Sequence, residues 1–385
     1  MKEGWKYKPF GEVFPIKMGK TPPRGDKSCW DTKKESENKW VSISDISQNE
    51  GKVIFDTKEY ITDAAAEKIF RVKANSLLMS FKLTIGKMAF AGTDLYTNEA
   101  IIAIPENKEY NLKFLYFYLS SYNWSSLTDG NEKVKGKTLN KESIGRIQLP
   151  IISIQEQQRI VSYLDSEFAK IEALKANAEK QLQAAKDLFQ TALKELMTPK
   201  EGWVEDVLNK ICQVVNGRAY KQDEMLTNGK YRLLRVGNFF TNDNWYYSDL
   251  ELDENKYCNN GDLLYAWSAS FGPRIWHGEK VIYHYHIWKM ICSNHIDKYY
   301  LFYWLDSDEF KKQVMKDLHG ATMNHITKTI MEATIIKYPS IKEQQSIADR
   351  LDALSANVKA LQTNYTETIT LCNDLKQALL KKVFE

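Results

Sequence analysis

The sequence has few of the features that mark secreted, membrane or metal-binding proteins. Its five cysteines among 385 residues are widely spread, with no Cys-x-x-Cys pair and no Cys/His spacing typical of zinc (Cys29, Cys212, Cys258, Cys292 and Cys372). The first residues, MKEGWKYKPFGEVF, lack the apolar core of a signal peptide, and no apolar run approaches 18 residues. We therefore expect a cytoplasmic protein with reduced thiols and no membrane partner.

The motifs of common enzyme classes are missing as well. There is no Gly-rich dinucleotide fingerprint and no GxSxG, and Pro22-Pro23 is followed by Arg24, not by the aromatic residue of an adenine methyltransferase loop. The stretch GNEKVKGKT (130–138) resembles a phosphate-binding loop, but it has five residues between its glycines where that loop has four. We interpret it as a basic loop that could contact DNA phosphates. We expect no catalytic residues and no cofactor in this chain.

The histidines do not indicate a metal site. All six lie in the second half of the chain, and His284 and His286 alternate with tyrosines in VIYHYHIW. On a strand both would face one side, but no third ligand follows at a suitable spacing. We interpret them as polar residues on one face of a strand and expect no bound metal.

Bulk composition leaves the partner open. The formal net charge is +3, and 43% hydrophobic with 27% charged residues is ordinary for a globular protein. A basic face can be balanced by acidic residues elsewhere, so this charge neither demonstrates nor excludes a nucleic-acid partner. The length predicts one to three domains.

A duplicated segment indicates how the chain is organised. SIQEQQRIVSYLD (153–165) returns as SIKEQQSIADRLD (340–352), and other landmarks return in the same order. They are EGW at 3–5 and 201–203, ANSLLMSFKLTIGKMAF (74–90) with NGDLLYAWSASFGPRIW (260–276), FLYFYLSS (114–121) with YLFYWLDS (300–307), and GKTLN (136–140) with GATMN (320–324). The landmarks agree while the stretches between them diverge, which indicates one scaffold carrying two different surfaces.

Each duplicated segment opens a stretch with the seven-residue period of a coiled coil. The apolar positions are Leu164, Phe168, Ile171, Ala178, Leu182, Ala185, Phe189, Ala192 and Leu196, then Ile347, Leu351, Leu354, Val358, Leu361, Tyr365, Thr368, Cys372, Leu375 and Leu379. Lys175 interrupts the first stripe, and we expect Leu174 to cover the gap. A helix of about 43 residues would be roughly 60 Å long, too long for a domain core. We expect the two helices to pair antiparallel; alternatively, each packs on its own domain or on another subunit.

The predicted fold class is therefore α+β, with two pseudo-repeated mixed α/β domains separated by two long antiparallel α-helices that form a coiled coil. The predicted boundaries are 1–152 for the first domain, 153–198 for the central helix, 199–338 for the second domain and 339–385 for the C-terminal helix. Apolar stretches predict strands at 41–46, 76–81, 87–91, 100–104, 231–236, 262–267 and 281–291, and short helices at 114–121 and 300–305.

Basic and polar residues occur in loops of both domains, where cations suit phosphates and Arg, Asn or Gln can read base edges. A solvated surface is the alternative for any single lysine. As a set they favour nucleic-acid binding, and the candidate DNA-binding residues are Lys17, Lys20, Thr21, Arg24, Lys82, Lys87, Lys133, Lys135, Lys137, Arg218, Lys221, Arg235, Asn238, Ser268, Arg274 and Lys312.

This order of elements resembles the specificity subunit of type I restriction–modification enzymes. The resemblance covers essentially the whole chain and is most specific at LPIISIQEQQRIVSYLD (149–165) and YPSIKEQQSIADRLD (338–352), each with a proline, an apolar step and Glu-Gln leading into a long helix. The EGW openings and the two matched domain cores add to it.

The resemblance implies that each domain is a target recognition domain that reads half of a bipartite double-stranded DNA site. It implies that the paired helices dock two modification (methyltransferase) subunits, and that restriction/translocase subunits join the complex. S-adenosylmethionine, ATP and Mg would then be bound by partner subunits. Candidate residues for partner docking and the coiled coil are Glu156, Gln157, Leu164, Ile171, Glu343, Gln344, Leu351, Val358 and Leu361. The alternative function is a coiled-coil scaffold with two protein-binding domains; an atypical ATPase or nuclease is a more distant one.

Overall fold

A computed structural model describes residues 2–127, 139–240, 242–268, 270–315 and 325–385. The chain divides into two compact units, Met1–Ala178 with Glu367–Glu385, and Glu179–Thr366. Each unit holds one mixed α/β domain and a part of both long helices. Within the described residues, no helix combines the length and apolarity needed to cross a membrane.

The first unit contains a five-stranded sheet in the order β2-β9-β6-β7-β4, a three-stranded sheet β5-β3-β8 and a ribbon β1-β10. The strands are β1 (Lys6–Pro9), β2 (Lys17–Met18), β3 (Lys39–Val41), β4 (Val53–Ile54), β5 (Glu59–Tyr60), β6 (Leu77–Ser80), β7 (Met88–Ala91), β8 (Tyr96–Thr97), β9 (Ile101–Ile104) and β10 (Gln148–Ile151). The helices are α1 (Phe10–Val13), α2 (Ile43–Gln48), α3 (Asp63–Ala66), α4 (Leu112–Ser121), α5 (Lys141–Gly145) and the first part of α6 (Ile154–Met197). The central strands β6 and β9 are buried at every residue.

The second unit repeats this plan with a four-stranded sheet β12-β19-β16-β17, a second sheet β14-β13-β18-β15 and a ribbon β11-β20. The strands are β11 (Val204–Val207), β12 (Cys212–Asn216), β13 (Tyr231–Leu234), β14 (Tyr246–Ser248), β15 (Tyr257–Cys258), β16 (Leu263–Ser268), β17 (Ser270–Ile275), β18 (Val281–Tyr283), β19 (Ile287–Cys292) and β20 (Ile335–Tyr338). The helices are α7 (Leu208–Ile211), α8 (Val236–Phe240), α9 (Lys298–Asp306), α10 (Asp308–Met315), α11 (Lys328–Ala333) and α12 (Ile341–Phe384), whose last residues belong to the first unit.

The repeated landmarks occupy the same structural positions in both units. Each EGW motif forms a turn on a glycine with positive φ, Gly4 at 81° and Gly202 at 86°. The turn leads into a strand that pairs antiparallel with the strand before a long helix, β1 with β10 and β11 with β20. The repeat is therefore structural as well as sequential.

A buried glutamine fastens each long helix to its domain. Gln157 and Gln344, the second residue of each Glu-Gln-Gln motif, are both 0% exposed. Gln157 donates to the carbonyls of Glu109 (2.8 Å) and Ile152 (3.1 Å) and accepts from the Asn111 N–H (2.8 Å). In the second unit the same three bonds join Gln344 to His295 O (3.0 Å), Pro339 O (2.9 Å) and Asp297 N–H (2.7 Å). Both amides are therefore used inside the domain and are not exposed for docking.

The motif also places the helices α4 and α9. Asn111 and Asp297, whose N–H groups bond the two glutamines, each cap the next helix by accepting from two backbone N–H groups. The buried residues of these helices follow the same pattern, Phe114, Leu115, Phe117, Tyr118 and Leu119 in α4 and Tyr300, Leu301, Tyr303, Trp304 and Leu305 in α9. One glutamine therefore fixes two helices at once.

The two long helices pair antiparallel, as predicted. In the first unit Lys376 pairs with Glu172, and the Lys175 ammonium donates to Asn373 Oδ1 (3.2 Å), so rising numbers on α6 meet falling numbers on α12. In the second unit, residues near the end of α6 share one apolar core cluster with residues near the start of α12 (Leu193, Met197, Ile347 and Leu351). The predicted fold class is confirmed.

The helix seam differs from the predicted stripe at three positions. Leu174 is 50% exposed and does not cover the gap, since Lys175 itself lies half-buried in the seam. In α12, Leu361 is 39% and Leu375 51% exposed, while the polar residues that follow them, Gln362 and Lys376, are half-buried. Between Val358 and Cys372 the half-buried positions include Gln362, Tyr365 and Ile369, so the alternating steps of four and three run in the opposite phase to the predicted one.

Two of the predicted strands contain helices. The segment 41–46 ends β3 and starts α2, because Ser42 and Asp45 form a reciprocal capping box. In 231–236 the strand ends at Leu234, and α8 begins at Val236. The strands predicted at 76–81, 87–91, 100–104 and 262–267 and the helices at 114–121 and 300–305 are present.

The predicted alignment of GKTLN (136–140) with GATMN (320–324) falls mostly outside the described residues, but the residues described on either side indicate a different match. Leu139 N–H donates to Phe81 O, and the equivalent bond to Trp267 O comes from Ile326 N–H. Asn140 and Thr327, which follow, each cap a short helix. The equivalent pair is therefore Leu139-Asn140 with Ile326-Thr327, three residues away from the predicted match.

We predict that Gln157→Leu destabilises the first domain. The change removes three hydrogen bonds of a fully buried side chain, two to the Glu109 and Ile152 carbonyls and one from the Asn111 N–H. The free energy of unfolding should therefore fall by about 2–4 kcal/mol. Urea denaturation followed by tryptophan fluorescence measures this as a lower midpoint. Gln345→Leu changes an exposed glutamine of the second motif and is the control. An unchanged midpoint for Gln157→Leu would show that the amide does not fasten the helix.

Candidate nucleic-acid interface

One end of the sheet in the first unit brings together loops that are distant in the sequence. The backbone bonds run from Gly19 N–H to Ile101 O (3.3 Å), Lys20 N–H to Thr97 O (2.8 Å), Phe81 N–H to Ala100 O (3.0 Å) and Leu139 N–H to Phe81 O (3.0 Å). These bonds bring together four parts of the chain: the loop after β2, the β6–β7 turn, the β8–β9 loop and Leu139. We call residues 19–24, 81–87, 97–100 and 139 the first loop surface.

The second unit has the same four bonds. They run from Gly217 N–H to Ile287 O (3.2 Å), Arg218 N–H to Tyr283 O (3.1 Å), Trp267 N–H to His286 O (3.1 Å) and Ile326 N–H to Trp267 O (3.3 Å). We call residues 217–221, 267–268, 283–286 and 325–326 the second loop surface. Lys20 is thus equivalent to Arg218, and Lys82 to Ser268, which are two pairs of candidate DNA-binding residues at matching positions.

Two glycines allow this arrangement. A Cβ on Gly19 would lie well inside 3.0 Å of the Thr97 carbonyl oxygen, and a Cβ on Gly217 would meet the carbonyls of Tyr283 and His284 equally closely. Because the neighbours are backbone atoms, they cannot turn away. Each glycine therefore lets the chain approach the sheet and fixes the position of the cation that follows it, Lys20 or Arg218.

Several predicted cations of the first unit are held by neighbouring side chains. The Arg24 guanidinium pairs with Glu59 and lies over the rings of Trp30 (4.2 Å) and Trp40 (4.8 Å). Lys87 pairs with Glu50. Lys17, on β2, lies over the Phe70 ring (4.6 Å), and the Lys82 ammonium is 5.6 Å from the centre of the Phe81 ring. Lys20 is exposed.

One carboxylate, Glu99, belongs to the first loop surface itself. Glu99 accepts a hydrogen bond from the Thr21 hydroxyl. Partial burial raises the pKa of Glu99, but the Thr21 bond and the charges of Lys82 and Arg24 outweigh burial and lower this pKa below its ordinary value. Glu99 is therefore ionised at neutral pH and holds the Thr21 hydroxyl, with Lys82 and Arg24 near enough to stabilise its charge.

The candidate DNA-binding residues of the second unit, on the second loop surface and elsewhere, have different partners. Arg218 makes two bonds to Glu224 (2.8 and 2.7 Å), which lower the pKa of that carboxyl to about 2. Arg235 lies over Tyr246 (5.2 Å) and Arg274 over Phe240 (5.5 Å). Among the other candidates, the Asn238 amide donates to Asn244 O, Ser268 is buried, and Lys221 and Lys312 are both exposed. Lys133, Lys135 and Lys137 lie outside the described residues.

The two histidines in VIYHYHIW do not lie on one strand as predicted. The segment 281–291 is broken, because β18 ends at Tyr283 and residues 285–286 form a turn before β19. The His286 N–H donates to His284 Nδ1 (3.5 Å). At the equivalent place in the first unit, the Ala100 N–H donates to Asn98 Oδ1 (2.9 Å). In the described part of the chain, no cluster of three His, Cys, Asp or Glu side chains could hold a metal ion.

Burial and neighbouring positive charges keep these imidazoles neutral. Burial, then His286 and Arg235, lower the pKa of His284 to about 4. Burial, then His325 and Arg235, lower the pKa of His286. Neutral imidazoles at neutral pH can each donate and accept a hydrogen bond, which suits base edges better than phosphates.

Sequence reasoning missed the aromatic residues that contact Arg24 of the first loop surface and the aromatic Trp267 of the second. Trp30 and Trp40 hold Arg24, next to a cavity of about 610 Å³ that is also lined by Lys27, Lys34, Lys58 and Tyr60. Trp267 stacks on Trp288 (5.5 Å between ring centres) and contacts the rings of His286 and His325. The signal for Trp267 was its alignment with Phe81. Trp30 and Trp40 lie in the divergent stretch 21–40, and the second unit has Leu233 at the position of Trp40.

The comparison with protein families decides the assignment. A family model described as the type I restriction modification DNA specificity domain matches residues 2–184 and 200–371. The chain belongs to this family. It is a non-catalytic DNA-recognition subunit of a type I restriction–modification system, with two target recognition domains.

Two curated specificity subunits show how far the sequences have diverged. The type I restriction enzyme MjaVIII specificity subunit of Methanocaldococcus jannaschii is 24% identical over 344 residues, 79% of this chain and 80% of the relative. The EcoBI specificity subunit of Escherichia coli is 24% identical over 322 residues, 74% of this chain and 67% of the relative. The similarity therefore extends over both halves of the chain.

Solved structures share the fold of this specificity subunit. The HsdS subunit from Thermoanaerobacter tengcongensis matches with a TM-score of 0.62 at 17% identity, covering 100% of this chain and 97% of that one. A chain from a structure on complex assembly and conformational transition of the type I R-M system matches with a TM-score of 0.81 at 18% identity, covering 100% and 98%.

We predict that His284→Asn makes the stability of the fold less dependent on pH between about pH 4 and pH 6.5. The pKa of His284 is about 4 in the folded state against 6.5 for an unperturbed histidine, so the unfolded state binds more protons between these values. The contribution of His284 is constant above about pH 6.5 and is lost as the pH falls towards 4. Asn occupies the equivalent position, Asn98, in the first domain and cannot be protonated.

The measurement is the melting temperature at pH 7.5 and pH 5.0. The fall between the two should be smaller for His284→Asn than for the natural protein. His277→Asn, which changes an exposed histidine of the same domain, is the control and should keep the natural fall. Parallel profiles for His284→Asn and the natural protein would contradict the prediction.

Proposed function

We propose that this specificity subunit recognises a bipartite double-stranded DNA site, each target recognition domain reading one half. The observation that carries the proposal is the repetition of one hydrogen-bonded arrangement with different side chains. Lys20, Phe81 and Ala100 occupy the positions that Arg218, Trp267 and His286 occupy in the second loop surface. Two surfaces of the same geometry and different chemistry fit two different half-sites.

Splitting the site explains why two domains share one chain. Each base pair contributes about 1–3 kcal/mol of discrimination, roughly additively, so a domain that reads three to five pairs alone is not selective enough for a genome. Joining two domains makes the second binding event intramolecular and adds their discrimination. The long helices serve this purpose, because a paired helix of 44 residues is about 66 Å long, and half-sites one turn apart lie about 34–36 Å from each other.

The long helices also provide a surface for partner subunits. Large apolar side chains outside the seam are exposed along both helices, namely Leu174, Leu188, Leu361, Leu371 and Leu375. Glu156 and Glu343, at the helix starts, belong to the same proposal. We infer that two modification subunits bind along these helices and that restriction/translocase subunits join them. S-adenosylmethionine, ATP and Mg would be bound by those partners, and the complex would act in the cytoplasm.

A protein scaffold with two protein-binding domains is the competing function for the loop surfaces. An electrophoretic shift assay with random duplex DNA, using the full chain together with its modification subunits, separates the two. Binding that weakens steeply between about 50 and 200 mM salt supports DNA contact through phosphates. Absence of any shift at low salt would favour the scaffold.

We predict that one additional heptad in both long helices lengthens the unspecified spacer of the target. The register places Ala178 opposite Thr370, so seven residues inserted after Ala178 and seven after Ile369 keep the seam in phase. Seven residues add about 10.5 Å, which is about three base pairs of DNA. Sequencing of methylated adenines in cells that carry the variant measures the spacer. A methylated site with its natural spacing would refute the role of the helices as a ruler.

We predict that exchanging residues 1–150 for the corresponding residues of another specificity subunit changes one half-site and leaves the other intact. The retained Gln157 still meets a domain of the same fold, so the exchange should preserve the junction. Mapping of methylated adenines before and after the exchange gives the result. A change in both half-sites would contradict the assignment of one half-site to each domain.

A further inference from the structure

The β6–β7 turn of the first domain presents an exposed leucine in a left-handed backbone conformation. Leu83 has φ = +64° and is 65% exposed. The Thr84 N–H donates to Lys82 O (2.8 Å), so Leu83 is the centre of a tight three-residue turn. Left-handed φ is unfavourable for a leucine, and an exposed leucine adds nothing to the core. The stability of the fold therefore does not account for this residue.

The turn is held rigidly on both sides of Leu83. Phe81 is 1% exposed, and Ile85 packs against the same core cluster. The buried Ser80 hydroxyl donates to the Thr84 carbonyl, and Gly86 N–H donates to Ser80 O (2.9 Å). Strain of this kind persists only where the surrounding structure enforces it, and it is concentrated at functional sites.

Leu83 belongs to the first loop surface and directly follows one of its cations, Lys82. The bond from Phe81 N–H to Ala100 O brings the turn beside Glu99, and the charges of Lys82 and Arg24 both lower the pKa of Glu99, so both cations lie near this carboxylate. An exposed apolar side chain on the same surface as these cations suits DNA, because phosphates can meet the cations while a base pair meets the leucine. Apolar side chains read DNA through the thymine methyl group in the major groove.

We propose that Leu83 is a specificity-determining residue that makes an apolar contact with a thymine in the half-site read by the first domain. The proposal rests on the proposed function, because it names a residue through which the first loop surface reads base pairs. The cations around the turn contact phosphates and do not select the sequence, whereas Leu83 selects thymine at one position of the half-site.

The test is Leu83→Gly, which separates base reading from folding. Glycine accepts a left-handed φ, so the relief of strain offsets its greater freedom in the unfolded chain, and the melting temperature should equal or exceed that of the natural protein. The full chain with its modification subunits selects from a random-duplex library, and the selected DNA is sequenced. The natural protein should yield two half-sites, and the variant should lose about 10-fold of its preference for thymine at one position of one half.

A matched control is Asn75→Gly. Asn75 is also exposed and left-handed, with φ = +62°, but it precedes β6, whereas Leu83 follows that strand. This change also places a glycine at a positive φ in an exposed turn next to β6 and should leave the selected sequences unchanged. Leu83→Asn is the second variant, since asparagine tolerates left-handed φ but has no apolar tip; it should lose the same preference as Leu83→Gly.

The outcomes distinguish this inference from the proposed function. If the natural protein enriches a bipartite motif and Leu83→Gly enriches the same motif with equal preference, Leu83 does not read DNA, while the proposed function stands. If the natural protein enriches no motif, the proposed function itself fails. A variant with a lower melting temperature and equally weakened binding to all sequences would assign Leu83 a structural role and overturn the inference.

Discussion

One buried glutamine side chain in each unit fixes the junction between the recognition domain and the long helix that follows it. Each glutamine side chain is itself fully buried and bonds two backbone carbonyl groups and one backbone N–H group. A shorter or apolar side chain would remove these three bonds, each of which contributes about 0.5–1.5 kcal/mol. Because the same N–H groups belong to the caps of α4 and α9, the position of the helix and the packing of the domain depend on one side chain.

The sequence predicted the parts of the fold that depend on repetition. The long helices follow from a seven-residue period without glycine or proline, and the central strands follow from continuous apolar runs. Predictions based on hydrophobicity alone were wrong where side-chain hydrogen bonds determine the structure. The run 41–46 is apolar enough for a strand, yet the Ser42–Asp45 capping box turns it into a helix. Lys175 in the seam was likewise unpredictable from hydrophobicity, because its partner Asn373 is distant in the sequence.

For the candidate interface, the sequence predicts which residue types take part but not how they are brought together. Loop cations are visible in a sequence, but the bonds that gather them, such as Lys20 N–H to Thr97 O and Leu139 N–H to Phe81 O, join loops that no local pattern relates. The aromatic neighbours of Arg24 come from a stretch that differs between the domains, with Leu233 in the second domain at the position of Trp40. The second copy helps only where the two domains agree, which is in the scaffold, and a recognition surface is the part where they differ.

The pairing of cations with carboxylates has a consequence for specificity. Arg24, Lys87 and Arg218 are held by Glu59, Glu50 and Glu224, so a phosphate that approaches them competes with a carboxylate already in place. Such competition weakens binding that rests on phosphates alone, and phosphates are the same in every sequence. Under the proposed function, discrimination would then depend on groups that meet base pairs, for which the neutral imidazoles of the second loop surface and the apolar Leu83 of the first have suitable chemistry. A nearly balanced net charge of +3 is therefore compatible with a DNA-recognition protein, because weak attraction to all DNA increases the fraction of binding that depends on sequence.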